Sequence, residues 1–310
     1  MLGVVVKSTG SWYMVRLDDG TYHQSRIKGK FRIGGLKSTN PISVGDRVKL
    51  SLEGNDYLIN EILQRKNYII RKSVNLSKQV HIIASNIDQA FLIVTLVSPF
   101  TSTGFIDRFL VTAEAYQVPT IIVFNKVDLY DEFDRAYHDE VVKVYSDAGY
   151  ECVEVSALNQ QNISLLKERM KDNVTLLSGH SGVGKSTLVN AIDPNLDLLT
   201  QQVSDAHQKG MHTTTFAEMF ELDFGGFIID TPGIKGLGLV EIEDSELADY
   251  FPEMLAFKGQ CKFHNCKHLN EPKCAVKSAL DTGEIHLIRY DSYISILEDD
   301  GNQYRESKYH

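Results

Sequence analysis

The nine residues Gly179–Thr187, GHSGVGKST, constrain this chain more than any other stretch. They match G-x-x-x-x-G-K-[ST] from Gly179 to Ser186, directly after the apolar run VTLLS and directly before a segment of helical character. Gly179, Gly182 and Gly184 let the backbone curl, so that the loop amides, those of His180, Ser181 and Val183 included, can point at phosphate oxygens. The helix that opens at the end of the loop adds a dipole favourable to anions. Lys185 supplies charge for the outer phosphates, Ser186 offers a hydroxyl to magnesium, and Thr187 completes the loop. Such a loop belongs in an α/β domain with a largely parallel sheet.

A guanine-reading loop needs a carboxylate for the two donors on the base edge. NKVD, Asn125–Asp128, supplies it after the strand-like run TIIVF. Asn125 can brace the surrounding loops, Lys126 can lie along the base plane, and Val127 spaces them from Asp128. Asp128 can accept from guanine N1 and N2, donors that adenine lacks. Ser156 and Ala157 of SAL follow the next strand, where a backbone N–H, best placed at Ala157, can donate to guanine O6. DTPG at 230–233 ends another apolar strand; Asp230 can hold magnesium through water and the Gly233 N–H can sense the third phosphate. Among the threonines of HTTT (212–215), Thr214 is favoured as a magnesium ligand, with Thr213 and Thr215 as rivals. Together these motifs mean GTP. Their order is unusual, because the base-reading loops precede the phosphate loop. A circular permutation explains it: all the loops still project from the carboxyl edge of one sheet.

The flanks differ from this centre. Residues 1–66 divide into short strand candidates, GVVVKS, WYMVRL, TYHQSRI, DRVKLSL and DYLINEIL, as expected of a small OB-like barrel. They hold 11 Lys+Arg against 6 Asp+Glu, a balance of +5, so the rest carries −14 of the net −9. That asymmetry is compatible with a basic contact face for nucleic acid and equally with an uneven solvated surface. Trp12, Tyr13 and Tyr22 are candidates for a base-stacking face, or are ordinary aromatics of the barrel. From about residue 70, strands and helices alternate, with helices read at 105–117, 135–148, 163–170 and from Ser186. After residue 240 the pattern turns helical, EIEDSELADYF included. There CKFHNCKHLNEPKC spaces Cys261, Cys266, His268 and Cys274 as three thiolates and an imidazole for a closed tetrahedral zinc site, with His264 a competing imidazole. Lys262, Lys267, Lys273 and Lys277 surround it and can touch phosphates. The longest apolar run, AFLIVTLV, is too short for a membrane span, and MLGVVVKSTG lacks the features of a signal peptide; both point to a cytoplasmic protein.

The permuted order GHSGVGKST-after-NKVD, the N-terminal barrel and the Cys/His cluster resemble the ribosome small subunit-dependent GTPase A family over essentially the whole chain. That resemblance implies a multidomain protein: an OB-fold-like RNA-binding barrel (1–68), a circularly permuted α/β P-loop GTPase domain (69–240) and a zinc-binding helical domain (241–310). It implies a GTPase that binds the small (30S) ribosomal subunit and its rRNA late in maturation. GTP is then hydrolysed to GDP, slowly alone and faster with the subunit. The implied cofactors are one structural zinc on Cys261, Cys266, His268 and Cys274, and magnesium with GTP on Ser186 and Thr214. The implied partners are GTP/GDP, the subunit and other assembly factors, with no membrane, for a monomer. Ile234 stands where many GTPases carry a water-orienting glutamine, and His212 resembles the family's catalytic histidine. Two departures stand out: Met211 where relatives carry a basic residue, and His180 where glutamine is common. Gly182 occupies a place where potassium-using relatives carry asparagine. A P-loop ATPase, an RNA-binding module with a structural nucleotide site, and a large-subunit GTPase are the competing readings.

Overall fold

The computed structural model describes residues 1–9, 11–27, 41–72, 80–196, 217–230 and 242–298. Five strands come first: β1 (Leu2–Ser8), β2 (Tyr13–Leu17), β3 (Tyr22–Ile27), β4 (Arg47–Glu53) and β5 (Asp56–Ile62). They close in the order β1-β2-β3-β5-β4-β1, with β3 and β5 parallel and the other neighbours antiparallel. Val5, Tyr13, Val15, Leu17, Val48, Leu50 and Ile59 fill the barrel. Tyr13 is 1% exposed and therefore drops out of the stacking face, while Trp12 and Tyr22 are 40% and 49% exposed. Successive side chains along an extended chain point to opposite faces, so the neighbours Trp12 and Tyr13 cannot both look outward.

β1 serves two cores at once. Val5 points into the barrel, whereas Val4 and Val6 join Val44 in the core under the central sheet. A hairpin that the sequence reading did not contain, β6 (Tyr68–Lys72) paired with β7 (Val80–Ser85), follows the barrel.

The centre alternates β8 (Gln89–Val94), α1 (Thr103–Ala115), β9 (Thr120–Phe124), α2 (Glu132–Asp147), β10 (Glu151–Glu154), α3 (Ile163–Met170), β11 (Val174–Ser178) and α4 (Lys185–Ile192), then β12 (Glu218–Glu221) and β13 (Phe227–Asp230). The strand order is β10-β9-β8-β11-β13-β12, parallel except for β12. Side-chain alternation builds its two cores. Ala90, Leu92, Val94, Ile122, Phe124, Leu176 and Ile229 face α1 and α2, where Phe109, Leu110, Val141 and Tyr145 wait. Phe91, Ile93, Ile121, Val123, Leu177 and Ile228 face Leu166, Met170, Leu188 and Ile192 of α3 and α4. Burying each large apolar side chain contributes about 1.5–3 kcal/mol, and burial on both faces explains why these strands read as continuous apolar runs. α2 starts at Glu132, three residues before the sequence reading placed it, because Asp131 and Asp134 form a reciprocal capping box.

The last segment holds a 3-10 turn (Leu247–Tyr250), α5 (Pro252–Leu255), α6 (Ala275–Asp281) and α7 (Leu287–Leu297). EIEDSELADYF yields only the 3-10 turn, because Pro252 holds Phe251 in extended backbone and starts a new helix at its own position. The buried core of this segment runs from Leu247 to Ile296 and takes in Val111 of α1. Among the described residues no helix is long and apolar enough to cross a membrane.

Candidate nucleotide site and metal centre

Because β8, β9, β10, β11 and β13 are parallel, the loops after them share one edge of the sheet. The phosphate loop leaves β11 at Gly179 and enters α4 at Gly184. Both glycines have positive φ, +144° and +91°. A Cβ at Gly179 would collide with the Ile93 carbonyl, and one at Gly184 would lie 2.6 Å from Asn125 Nδ2. Lys185 Nζ folds back along the loop and donates to the carbonyls of Gly179 (2.6 Å) and His180 (2.8 Å). Ser186 and Thr187 follow in the first turn of α4.

Asn125 is fully buried and ties three separate motifs together. Its Nδ2 donates to the Val183 carbonyl of the phosphate loop (2.9 Å), and its Oδ1 accepts from the Ala157 N–H (3.2 Å). The Ala157 amide therefore already has an acceptor, which guanine O6 would have to share. Lys126 sits in left-handed backbone (φ 64°), and its Nζ donates to the carbonyls of Ser98 (2.8 Å) and Gly182 (2.7 Å). Asp128 is exposed in the 3-10 turn Val127–Leu129, whose Val127 carbonyl accepts from Arg135 (3.1 Å). Ser156 Oγ accepts from the Asn159 N–H (3.1 Å), and backbone bonds to Gln161 close the loop.

Sequence reasoning missed Thr101. The His180 ring is not idle: its Nε2 pairs with Thr101 Oγ1 at 2.7 Å, and Thr101 Oγ1 also accepts from the Thr95 N–H (3.1 Å). Phe105 meets the same ring edge-on. The phosphate loop is thereby fastened to the start of α1 by a side chain, and no motif marks Thr101. Asp230 ends β13, its backbone in register with Leu177 of β11. Met211, His212, Thr213, Thr214, Thr215, Gly233 and Ile234 lie outside the described residues.

At the other end, Cys261, Cys266, His268 and Cys274 bring their ligand atoms within 4.8 Å of one another, and His264 is not among them. Cys261 Sγ lies 3.9 Å from Cys274 Sγ and 3.6 Å from His268 Nδ1, and His268 Nδ1 lies 3.3 Å from Cys274 Sγ. A tetrahedral zinc with ordinary bond lengths has edges of about 3.6–3.8 Å, whereas a disulfide needs sulfurs about 2 Å apart. The thiol set is prepared for negative charge: the Ala275 N–H donates to Cys261 Sγ (3.3 Å) and the Lys277 N–H to Cys274 Sγ (3.4 Å). Without a cation, burial pushes the Cys266 thiol up to about 12 and raises Cys274 as well. The donor set thus fits a soft divalent metal, whose binding would release those protons. Tyr290 and Tyr293 of α7 donate to the carbonyls of His268 (2.6 Å) and Lys267 (2.7 Å), holding the ligand loop from outside. Of the neighbouring lysines, Lys267 pairs with Asp244 (3.2 Å) and Lys277 donates to the Leu269 carbonyl (2.8 Å), so neither is wholly given to solvent.

The family comparisons agree with this geometry. The model described as RsgA GTPase matches residues 62–240, and that described as RsgA N-terminal domain matches 2–57. The small ribosomal subunit biogenesis GTPase RsgA of Christiangramia forsetii is 55% identical over 313 residues, covering 100% of this chain and 99% of the relative. The protein of that name from Bacteroides fragilis is 54% identical over 301 residues, covering 96% and 97%. The crystal structure of YjeQ from Thermotoga maritima superposes with a TM-score of 0.78 at 37% identity, covering 96% of each chain. That of YloQ, described as a circularly permuted GTPase, does so at 0.73 and 29%, covering 99% and 96%. A permuted motif order, a phosphate loop braced by the base-reading asparagine and a Cys3His cluster, carried over the full length of such relatives, place this chain in the RsgA GTPase family, as a GTP-hydrolysing enzyme.

Proposed function

We propose that this chain binds the small ribosomal subunit, assists its late maturation and hydrolyses GTP there, faster with the subunit than alone. Its relatives, small ribosomal subunit biogenesis GTPases by name, support the partner. The nucleotide reading is carried by one observation, the Asn125 bridge between the Val183 carbonyl and the Ala157 amide, which makes phosphate loop and base loop a single unit. In this reading Asp128 selects guanine, Lys126 lies along the base, Ser156 and Ala157 address O6, and residues 179–187 hold the phosphates. Lys185 would leave the loop carbonyls it now contacts to neutralise charge on the outer phosphates. Ser186 and Thr214 would hold magnesium, with Asp230 acting through water; the ion supplies charge neutralisation when bound. Gly233 would sense the third phosphate, and His212 would orient the attacking water, since Ile234 cannot. Zinc would fill the Cys261–Cys266–His268–Cys274 cluster as a structural ion.

We assign the three parts as 1–68, 69–240 and 241–310, in a cytoplasmic monomer that meets other assembly factors on the subunit. For rRNA, the barrel's charge is distributed tellingly. Its described cations, Lys7, Arg16, Arg26, Arg47, Lys49, Arg65 and Lys66, all stand in ion pairs. The sequence 28–40 holds Lys28, Lys30, Arg32 and Lys37 with no acid, so most of the +5 excess of residues 1–66 lies there by sequence. The test is GTP turnover alone, with purified small subunits and with large subunits as control. Acceleration by small subunits only is expected; none would defeat the proposal. Asn125→Ala should weaken GDP binding by about 10–100-fold, because two buried partners lose their bond, and ADP should bind neither protein.

A further inference from the structure

The rim of the nucleotide site carries large apolar side chains that stand exposed among the described residues. Phe133, in the first turn of α2, is 86% exposed, and Phe100, in the loop after β8, is 58% exposed. β8 and β9 are adjacent, so the loop after β8 and the helix that follows β9 are neighbours. The Phe100 ring lies 6.2 Å from that of Tyr137, which follows Phe133 by one helical turn. Phe133, Tyr137 and Glu140 thus line one face of α2, with Phe100 alongside. Pro99 touches the phosphate loop, 3.4 Å from where a Cβ on Gly182 would stand, so the patch borders the phosphate loop itself.

Charge says what kind of partner suits this face. From Asp128 to Asp147 the chain has seven carboxylates and two cations. Both cations are engaged, Arg135 with Glu154 (2.7 Å) and Lys143 with Asp147 (2.7 Å). Glu132 and Glu140 are exposed at either end of this aromatic face, Glu132 next to Phe133 in the chain and Glu140 three residues beyond Tyr137. A phosphate backbone would be repelled here, whereas Lys and Arg stems can lie on the rings while their charged heads meet the carboxylates.

We propose that this face of α2, with Phe100, docks a Lys/Arg-rich segment of a ribosomal protein, so that the chain grips its subunit partly through protein and beside its own phosphate loop. The proposal rests on the small-subunit reading above. It is tested with the full-length chain carrying the photo-cross-linker benzoylphenylalanine in place of Phe133, irradiated on purified small subunits. A cross-link to a basic ribosomal protein is expected. A cross-link to rRNA, to a second copy of the chain, or to nothing would overturn it. Independently, the double variant Glu132→Lys/Glu140→Lys should weaken subunit binding at least about fivefold at low salt while leaving GDP affinity unchanged; unchanged subunit binding would also overturn it. Co-sedimentation of the unaltered chain separates the two claims. If it binds subunits and the cross-link misses protein, only the docking surface fails. If it does not bind, the small-subunit reading falls too.

Discussion

The two flanking parts meet the GTPase domain in different ways, although each junction centres on an arginine paired with a buried aspartate. At the barrel, Asp46 is fully buried and every oxygen is used. Oδ1 accepts from Arg65 Nε and Ser85 Oγ, and Oδ2 accepts from Arg65 Nη2 and the Ser43 N–H, at 2.6–2.8 Å. Around it the barrel is continuous with its neighbour: Val4, Val6 and Val44 lie in the central core, and β1 pairs with β12 at Lys7 and Glu218. At the other junction Arg289 of α7 reaches Asp107 of α1 (2.6 Å) and Glu253 (2.6 and 3.2 Å), under the rings of Phe251, Tyr145 and Tyr150. Burial opposes its charge, but Asp107 and Glu253 more than reverse that effect and hold it above the ordinary guanidinium value. Among the described residues Asp107 Oδ2 has no hydrogen-bond partner, and burial raises this carboxyl despite Arg289. The C-terminal part keeps its own core and borrows Val111. A barrel that shares strands and core cannot leave without opening the centre. A module whose core is almost wholly its own and whose main buried anchor is Arg289 can undock as a unit.

Metal removal is the largest test of that difference. Chelation should unfold residues 242–298 alone, raising their amide exchange at least about tenfold while GDP affinity shifts less than about twofold. Exchange rising equally in the barrel would show that the modules are not separable. Next comes Arg289→Met, which leaves Asp107 and Glu253 buried without their cation. It should cost about 3–5 kcal/mol, read as early proteolytic release of the C-terminal part from a centre that still binds GDP.

Neither arginine was legible as a junction. Charged residues are rarely buried unless paired, and the partner of Arg289 stands 182 residues away, beyond any local pattern. The phosphate loop, NKVD and the cysteine spacing were legible because each packs its chemistry into a few consecutive residues with a required context. The permutation could be read for the same reason, from the order of those local signals. The β6–β7 hairpin was passed over because no tight-turn signal joins YIIRK to VHIIAS. Between a stacking role and an ordinary barrel aromatic, Tyr13 is the second, one residue of strand phase from exposed Trp12. Thr101 belongs to no motif, and its role exists only once β8 and β11 lie side by side.

Asp46→Asn should be milder than Arg289→Met, although Asp46 makes more bonds. Arg65 is 11% exposed and keeps the Pro41 carbonyl at 3.0 Å, so it is not stranded when the carboxylate goes. About 1–3 kcal/mol is expected, in one cooperative transition with no separate release of the barrel. A first transition confined to residues 1–62 would reverse the comparison.

The smallest effect belongs to the second, exposed contact of the C-terminal part, His286 Nε2 with Asp147 Oδ2 at 2.7 Å. Lys143 first, and His286 second, hold the Asp147 carboxyl below its ordinary value. A depressed carboxyl adds stability above its unfolded pKa and loses it as pH falls through the folded one, so the contribution is present at neutral pH and disappears below the ordinary carboxylate range. The group is exposed, and exposed pairs are weak. Asp147→Asn should therefore leave the neutral melting temperature unmoved and only slightly flatten the acid limb of stability against pH. A clear loss at pH 7, with the C-terminal part released, would mean that this module is held at its surface and that Arg289 is not its main anchor.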